Sequence, residues 1–260
     1  MKIGIKTRPD RSDVIPLAKS IHDVLVANGH ELSFGTLPEN DMEIVIGGDG
    51  TILRAVSEMG KWQNPVLGIN MGGVGFLADI EPDEAISYVK TITETTMLNV
   101  EERTRINVRN GEIKSIAVAL NEVAILSNGV GKMTAFTIVI DGVEVQSFKA
   151  DGLVVSTPTG STAYAMSAGG SIVDPLIHDG YLVVPIAPYL LSSRPQLIST
   201  KRKLEIDIVS EDAFIVVDGL TMRRVNNEYP VEIQVDPNPA KFVNVNRNFF
   251  KKVGDKLGRM

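Results

Sequence analysis

The pattern of apolar residues changes near residue 97, and this restricts the chain to two kinds of architecture in succession. Before that point, short apolar runs alternate with stretches of helical period. KIGIK is followed by apolar positions at Val14, Leu17, Ala18, Ile21, Val24 and Leu25. That spacing is the stripe of an amphipathic helix, opened by Ser12 or Asp13 and stopped at Asn28-Gly29. MEIVI then leads into TILRAVSEM. PVLGIN precedes a stretch opened by Pro82, Asp83 and Glu84, in which Ile86, Val89 and Ile92 share a face. Such alternation predicts a parallel sheet covered by helices.

Beyond residue 97, strand-like segments follow one another: INVRN, SIAVALNEVAIL, TAFTIVI, VEVQSFK, GLVVST, YLVVPIA, KLEIDIV, AFIVV and VEIQV. Asp141-Gly142 lies between two of them as a hairpin turn, because both central residues of that turn need positive φ. One helix is expected near STAYAMSAGG. The expected fold class is therefore an α/β N-terminal domain with a parallel sheet plus a β-rich C-terminal domain. The domains are expected at 1–96 and 97–236, with the tail 237–260 a candidate to return to the first as a short helix. The β-rich half has too few predicted helices to cover both faces of its sheet, which points to a homo-oligomer.

Composition excludes several functions. The net charge is −6 with no clustered basic patch, which argues against a nucleic-acid partner. The absence of cysteine excludes disulfides and zinc–cysteine sites. MKIGIKTRPDRSD has no apolar leader segment, and no apolar run reaches membrane-spanning length. The expectation is a cytoplasmic protein without a membrane partner.

MEIVI ends in a turn made of Gly47, Gly48, Asp49 and Gly50. In open α/β sheets, ligands bind beyond the carboxyl ends of the strands, where this turn falls. Uncovered backbone N–H groups and a helix N-terminus together make a seat for phosphate. A carboxylate repels phosphate. Asp49 fits such a seat if it binds a cation or takes a proton from a hydroxyl that attacks phosphorus. The competing reading is an Asx turn, with Asp49 bonding its own backbone. Neither GxxxxGK[ST] nor GxGxxG occurs in the chain.

Two further stretches carry polar groups where apolar ones are expected. In LNEVAI, Asn121 and Glu122 interrupt an apolar strand. Neighbouring strand residues face opposite ways, so one of the two points into the interior or a cleft, unless the strand ends or bulges there. FKADGLVVSTPTGSTAYAMSAGG holds Lys149, Asp151, Thr157, Thr159, Ser161, Thr162, Tyr164 and Ser167. That density of hydroxyls suits a polar ligand rich in hydroxyls and phosphates. No GxSxG elbow occurs, and His22, His30 and His178 stand in no recognisable relation to a serine, which disfavours a serine hydrolase.

GGDGT, then NE, then DGLVVSTPTGSTAY, in this order and spacing, resemble the NAD kinase family over most of the chain. GGDGT alone is shared with diacylglycerol and sphingosine kinases; the three blocks together are specific. The resemblance implies transfer of the terminal phosphate of ATP, or polyphosphate in some members, to the adenosine ribose 2′-hydroxyl of NAD. It also implies a divalent metal ion (Mg2+) and a homodimer or homotetramer. By the same resemblance, Asp49 matches the catalytic aspartate and Gly50 contacts the dinucleotide. Arg54 is a basic residue one helical turn later, within reach of phosphate, and Phe76 in GGVGF lies near the adenine. Asn121 and Glu122 grip the adenosine. Lys149 occupies a basic position, and Asp151 is a dinucleotide contact that can come from a neighbouring subunit. Thr159 and the run Thr162, Ala163, Tyr164, Ala165, Met166 and Ser167 line the same pocket. Tyr189 replaces a histidine common in the family, and Leu220 stands where many members are polar. The alternatives are a lipid kinase sharing GGDGT and a non-catalytic nucleotide-binding module.

Overall fold

The computed structural model describes all residues except Pro9, Gly73, Val74, Thr96, Val130, Ser210, Glu211, Arg259 and Met260, and the side chains of Ile113 and Lys114. Chain order begins β1 (Lys2–Thr7), α1 (Ile15–Ala27), β2 (Glu31–Phe34), β3 (Met42–Gly47), α2 (Asp49–Met59), β4 (Val66–Asn70), α3 (Ala85–Thr93) and β5 (Val100–Arg103). A run of strands follows: β6 (Ile106–Asn110), β7 (Ile113–Ala119), β8 (Glu122–Ser127), β9 (Thr134–Ile140), β10 (Val143–Ala150) and β11 (Gly152–Ser156). After α4 (Tyr164–Ser167) come β12 (Gly180–Ile186), β13 (Gln196–Ser199), β14 (Leu204–Ile208), β15 (Ala213–Val217), β16 (Thr221–Arg224) and β17 (Val231–Val235). The chain closes with β18 (Ala240–Val243) and α5 (Phe249–Leu257). Its contacts divide it into one unit of 1–102 with 240–260 and another of 103–239.

The first unit is built on a six-stranded sheet in the order β2-β1-β3-β4-β18-β5, with β2, β1, β3, β4 and β18 paired in parallel. All six residues of β3 are buried, as a central strand covered on both faces requires. Helix α1 has proline in its first turn, buries Ile21 and Leu25, and gives way to Gly29 at φ +77°. Helix α2 buries Ile52, Leu53, Ala55, Val56 and Met59 and ends at Gly60, also left-handed at φ +58°.

The second unit is a sandwich of two six-stranded antiparallel sheets, ordered β10-β9-β14-β17-β6-β7 and β13-β12-β11-β8-β15-β16. Alternate residues of both sheets, among them Val108, Phe136, Ile206, Ile125, Val155 and Val183, form one core. The outer face of β8, β11 and β12 is covered in turn, with Ala165 and Val173 packed on Ala124, Val154, Leu182 and Val184. Burial on both sides explains why GLVVS and YLVVPI read as unbroken apolar runs. Cover for these strands thus comes from within the chain, so their apolar faces do not by themselves demand a second copy.

The Asp141-Gly142 hairpin forms between β9 and β10 with both residues at positive φ, +52° and +79°. Two segments differ from their sequence expectation. SIAVALNEVAIL is not one strand: it breaks at Leu120–Asn121, and its halves, β7 and β8, belong to different sheets. The helix expected near STAYAMSAGG is a 3-10 turn at Thr159–Thr162 and the single turn α4.

Candidate active site

In the first unit, β3 delivers Gly47 and Gly48 to the N-terminus of α2, whose first residue is Asp49. The three glycines have different reasons to be there. A Cβ on Gly47 would overlap the Thr51 side chain. Gly48 and Gly50 would meet nothing within 4 Å, and neither has a left-handed φ. Fold sterics thus explain Gly47 only; the other two leave the backbone around Asp49 open to approach.

The half-buried Asp49 carboxylate makes no Asx turn. Its Oδ2 accepts the Phe76 N–H at 2.7 Å and its Oδ1 accepts the Leu77 N–H at 3.0 Å. Gly75 is needed beside it, since a Cβ there would lie 2.9 Å from Asp49 Oδ1 and 3.3 Å from Asn70 Oδ1. Asn70, which sequence reading missed, ends β4; its Oδ1 accepts the Gly72 N–H at 3.1 Å and its amide nitrogen faces Glu81. Gly50 and Arg54, four residues apart, share the exposed side of α2. Phe76 is half-buried; Gly73 and Val74 of GGVGF lie outside the described residues. Next to this loop is a cavity of about 1020 Å³, lined in part by Asn70, Gly72, Asp79, Glu81, Lys252 and Lys256. That volume is of the order that small-molecule ligands occupy. Burial, then the neighbouring Lys252, lowers the Lys256 ammonium below its ordinary value.

In the second unit, the break at Leu120–Asn121 is held from both sides. The Asp218 carboxylate accepts the N–H groups of Leu120, Asn121 and Glu122 at 2.7, 2.8 and 2.9 Å. Opposite, the Leu120 carbonyl accepts from the Thr157 hydroxyl at 2.5 Å, and the Asn121 carbonyl from the Thr157 N–H at 2.8 Å. A Cβ on Gly160 would overlap the Asn121 backbone, so the turn that follows β11 packs directly on this segment. Asp218 and Gly219 form the β15–β16 turn with φ of +49° and +65°. Asp218 was missed as a site residue; the Asp-Gly pair signals a turn, but not which amides its carboxylate meets.

Three buried polar atoms around this clamp have no hydrogen-bond partner among the described residues: Asn121 Oδ1, Glu122 Oε2 and Thr159 Oγ1. Buried polar atoms are normally paired, so these three would accept from ordered water or from a polar ligand. Strand alternation predicted one inward side chain; the break allows both Asn121 and Glu122 to hold an unpaired buried atom. Burial, then the Asp218 charge, pushes the Glu122 carboxyl up to about 7, against a hydrogen bond from the Tyr164 backbone. Burial also raises Asp218, while its three amides and Arg105 pull the other way.

The remaining expected residues divide. Thr162 is buried, Ala163 and Met166 are half-buried, and Tyr164 and Ser167 are exposed; the Ala165 side chain is spent on the apolar cluster over β11. Lys149 and Asp151 do not join them. Both are exposed at the corner where β10 of one sheet passes into β11 of the other. The opposite end of β11 is Ser156, which pairs with Glu122. Five residues of strand place that end roughly 16 Å from Asp151. The Tyr189 N–H bonds the Lys149 carbonyl at 2.9 Å, so this departure from the family pattern sits at that corner.

A helix-covered α/β unit carries a glycine-flanked carboxylate, and a β-sandwich unit carries a group of unpaired buried polar atoms; both features suit a nucleotide ligand. The model of the ATP-NAD kinase N-terminal domain matches residues 37–97, and that of the C-terminal domain matches residues 120–245. NAD kinase of Methanoregula boonei is 46% identical over 98% of this chain and 93% of its own. NAD kinase of Methanoculleus marisnigri is 43% identical over 99% of both chains. Among solved structures, an NAD kinase from Archaeoglobus fulgidus in complex with ATP has a TM-score of 0.87, 30% identity and full coverage of both chains. Yeast NADH kinase complexed with NADH has a TM-score of 0.85 at 26% identity, covering 99% of this chain and 87% of that one. The chain belongs to the NAD kinase family, and its activity is that of an NAD kinase.

Proposed function

We propose that Asp49 is the general base that takes the proton of the adenosine ribose 2′-hydroxyl of NAD as that oxygen attacks the terminal phosphate of ATP. The observation that carries this reading is the open backbone at Gly48 and Gly50 on either side of a carboxylate that two amides hold in place. Each carboxylate oxygen accepts one of those amides and keeps a lone pair free. A fixed acceptor beside an uncovered helix N-terminus suits an alcohol attacking phosphorus, a reaction that depends on placement and charge. Gly50, Arg54 and Phe76 contact the nucleotides from the same unit.

Asn121, Glu122, Thr159 and the run 162–167 form the adenosine pocket in this proposal, supported by the three unpaired buried atoms. Lys149 and Asp151 serve the site of a second copy, because β11 separates them from Glu122 on their own chain. In this reading the protein is a homodimer or homotetramer and is cytoplasmic, as the family resemblance implies. No helix among the described residues is long and apolar enough to cross a membrane.

The described residues present no dedicated cage for the family's divalent ion. Among the described residues, no group of three or more His, Cys, Asp or Glu side chains is placed to hold a metal. An ion such as Mg2+ carried largely by phosphate oxygens and water needs one or two carboxylates at most. No step assigned to Asp49 is routed through it.

The test is a donor panel. Purified protein with NAD and ATP, another nucleoside triphosphate or polyphosphate should form NADP with ATP. Nucleotide binding without NADP from any donor would favour the non-catalytic module, and phosphorylation of a sphingoid base would favour the lipid kinase.

A further inference from the structure

Helix α5 comes from the end of the chain, capped where Asn248 Oδ1 accepts the Lys251 N–H at 2.9 Å. Its Lys252 side chain is mostly withdrawn from solvent, with 13% exposed. The ammonium has three protons, and the structure gives it three acceptors: the Phe76 carbonyl at 2.9 Å, the Ala78 carbonyl at 2.7 Å and Asp79 Oδ1 at 2.7 Å. These acceptors belong to the loop after β4 whose Phe76 and Leu77 amides hold the Asp49 carboxylate. Phe76 therefore touches both partners, with its N–H on Asp49 and its carbonyl on Lys252. Among the described residues, the hydrogen bonds of Phe76–Ala78 go to Asp49 on one side and Lys252 on the other. The far end of the loop is tied separately, through Asp79 and Ile80 to the Gly68 carbonyl.

We infer that Lys252 is a positioning residue for the phosphoryl transfer, bracing the loop that aims the Asp49 carboxylate. It needs no contact with substrate. Removal of the ammonium leaves two carbonyls and a carboxylate without their shared donor and lets the Phe76–Leu77 amides drift. Small errors in the placement of a reacting group lower turnover far more than they lower binding. The inference rests on the reading of Asp49 as the base.

The test uses the full chain and Lys252→Met, which keeps the side chain's bulk and removes its charge, with Lys19→Ala as an exposed-cation control. Lys252→Met should lower kcat about tenfold to a hundredfold while KM for NAD stays within about twofold. Hydrogen exchange at the Phe76 and Leu77 amides should quicken, with β1 and β3 unchanged. In an Asp49→Asn background, Lys252→Met should cost little more, because there is no base left to aim. An unchanged kcat, a change in KM alone, equal losses in both backgrounds, or unchanged exchange at Phe76 and Leu77 would each overturn the inference. Near-normal kcat in Asp49→Asn alone would instead remove the reading of Asp49, and the exchange rates would still decide whether Lys252 braces the loop.

Discussion

The Asp218 carboxylate accepts the backbone N–H of Asn121 at 2.8 Å, and it accepts the amides on either side as well. A side chain outside the three family motifs thus sets where Asn121 and Glu122 point. Asp218→Asn keeps the size and tolerates the positive φ, but turns one acceptor oxygen into a donor facing an N–H. It should cost about 1–3 kcal/mol of stability, the usual penalty for a buried group left unpaired. KM for NAD should rise with kcat less affected. Denaturant unfolding and NAD titration on one preparation check this; unchanged affinity would detach the clamp from the binding site.

Glu122 makes a pH-dependent forecast. Its carboxyl is pushed up to about 7 in the folded chain, against an ordinary value of 4.5. Between those values the folded chain holds a proton that the unfolded chain has released, so folding loses stability as pH rises through that window. Above about 7 the loss is complete. Glu122→Gln cannot ionise, so without nucleotide its melting temperature should match the parent near pH 5 and exceed it near pH 8. NAD binding should weaken at pH 8 all the same if Glu122 belongs to the proposed adenosine pocket, because an amide then replaces a carboxylate acceptor. A parent protein no less stable at pH 8 than the variant would contradict the buried, repelled carboxylate.

Gly50 separates folding from function. Nothing stands within 4 Å of a Cβ there and its φ is ordinary, so Gly50→Ala should fold and gain up to about 1 kcal/mol as a better helix residue. The same methyl narrows the approach to Asp49, so kcat/KM for NAD should fall. Thermal melting and steady-state rates measure the two effects together. Unchanged kcat/KM would mean that the open backbone serves no ligand.

Much of the fold could be read because its signals are local. The 3.6-residue stripe of α1, the largely apolar run of β3 and the Asp141-Gly142 turn each lie within a few residues. The Leu120–Asn121 break was hidden because its cause, Asp218, is 97 residues from Asn121. SIAVALNEVAIL has strand propensity throughout, and the capture of three amides by one distant carboxylate overrides it. The same holds around Asp49. The glycines suggest in the sequence that the turn is open to approach, but the amides that hold Asp49 are 27 and 28 residues away. In the sequence Lys252 is one of several cations in NFFKKVGDKLGR, and only the return of α5 to the loop after β4 gives it its three acceptors.

The most direct measurement of the central claim is kcat and melting temperature for Asp49→Asn on the same preparation. An asparagine oxygen can still accept one of the Phe76 and Leu77 amides, so the melting temperature should fall only modestly. NAD affinity should hold much better than turnover. Turnover should drop roughly 10²–10⁴-fold, the range for loss of a positioned general base. If the carboxylate serves only to tie down the Phe76–Leu77 loop, the result reverses: a marked loss of stability, with near-normal kcat per folded molecule.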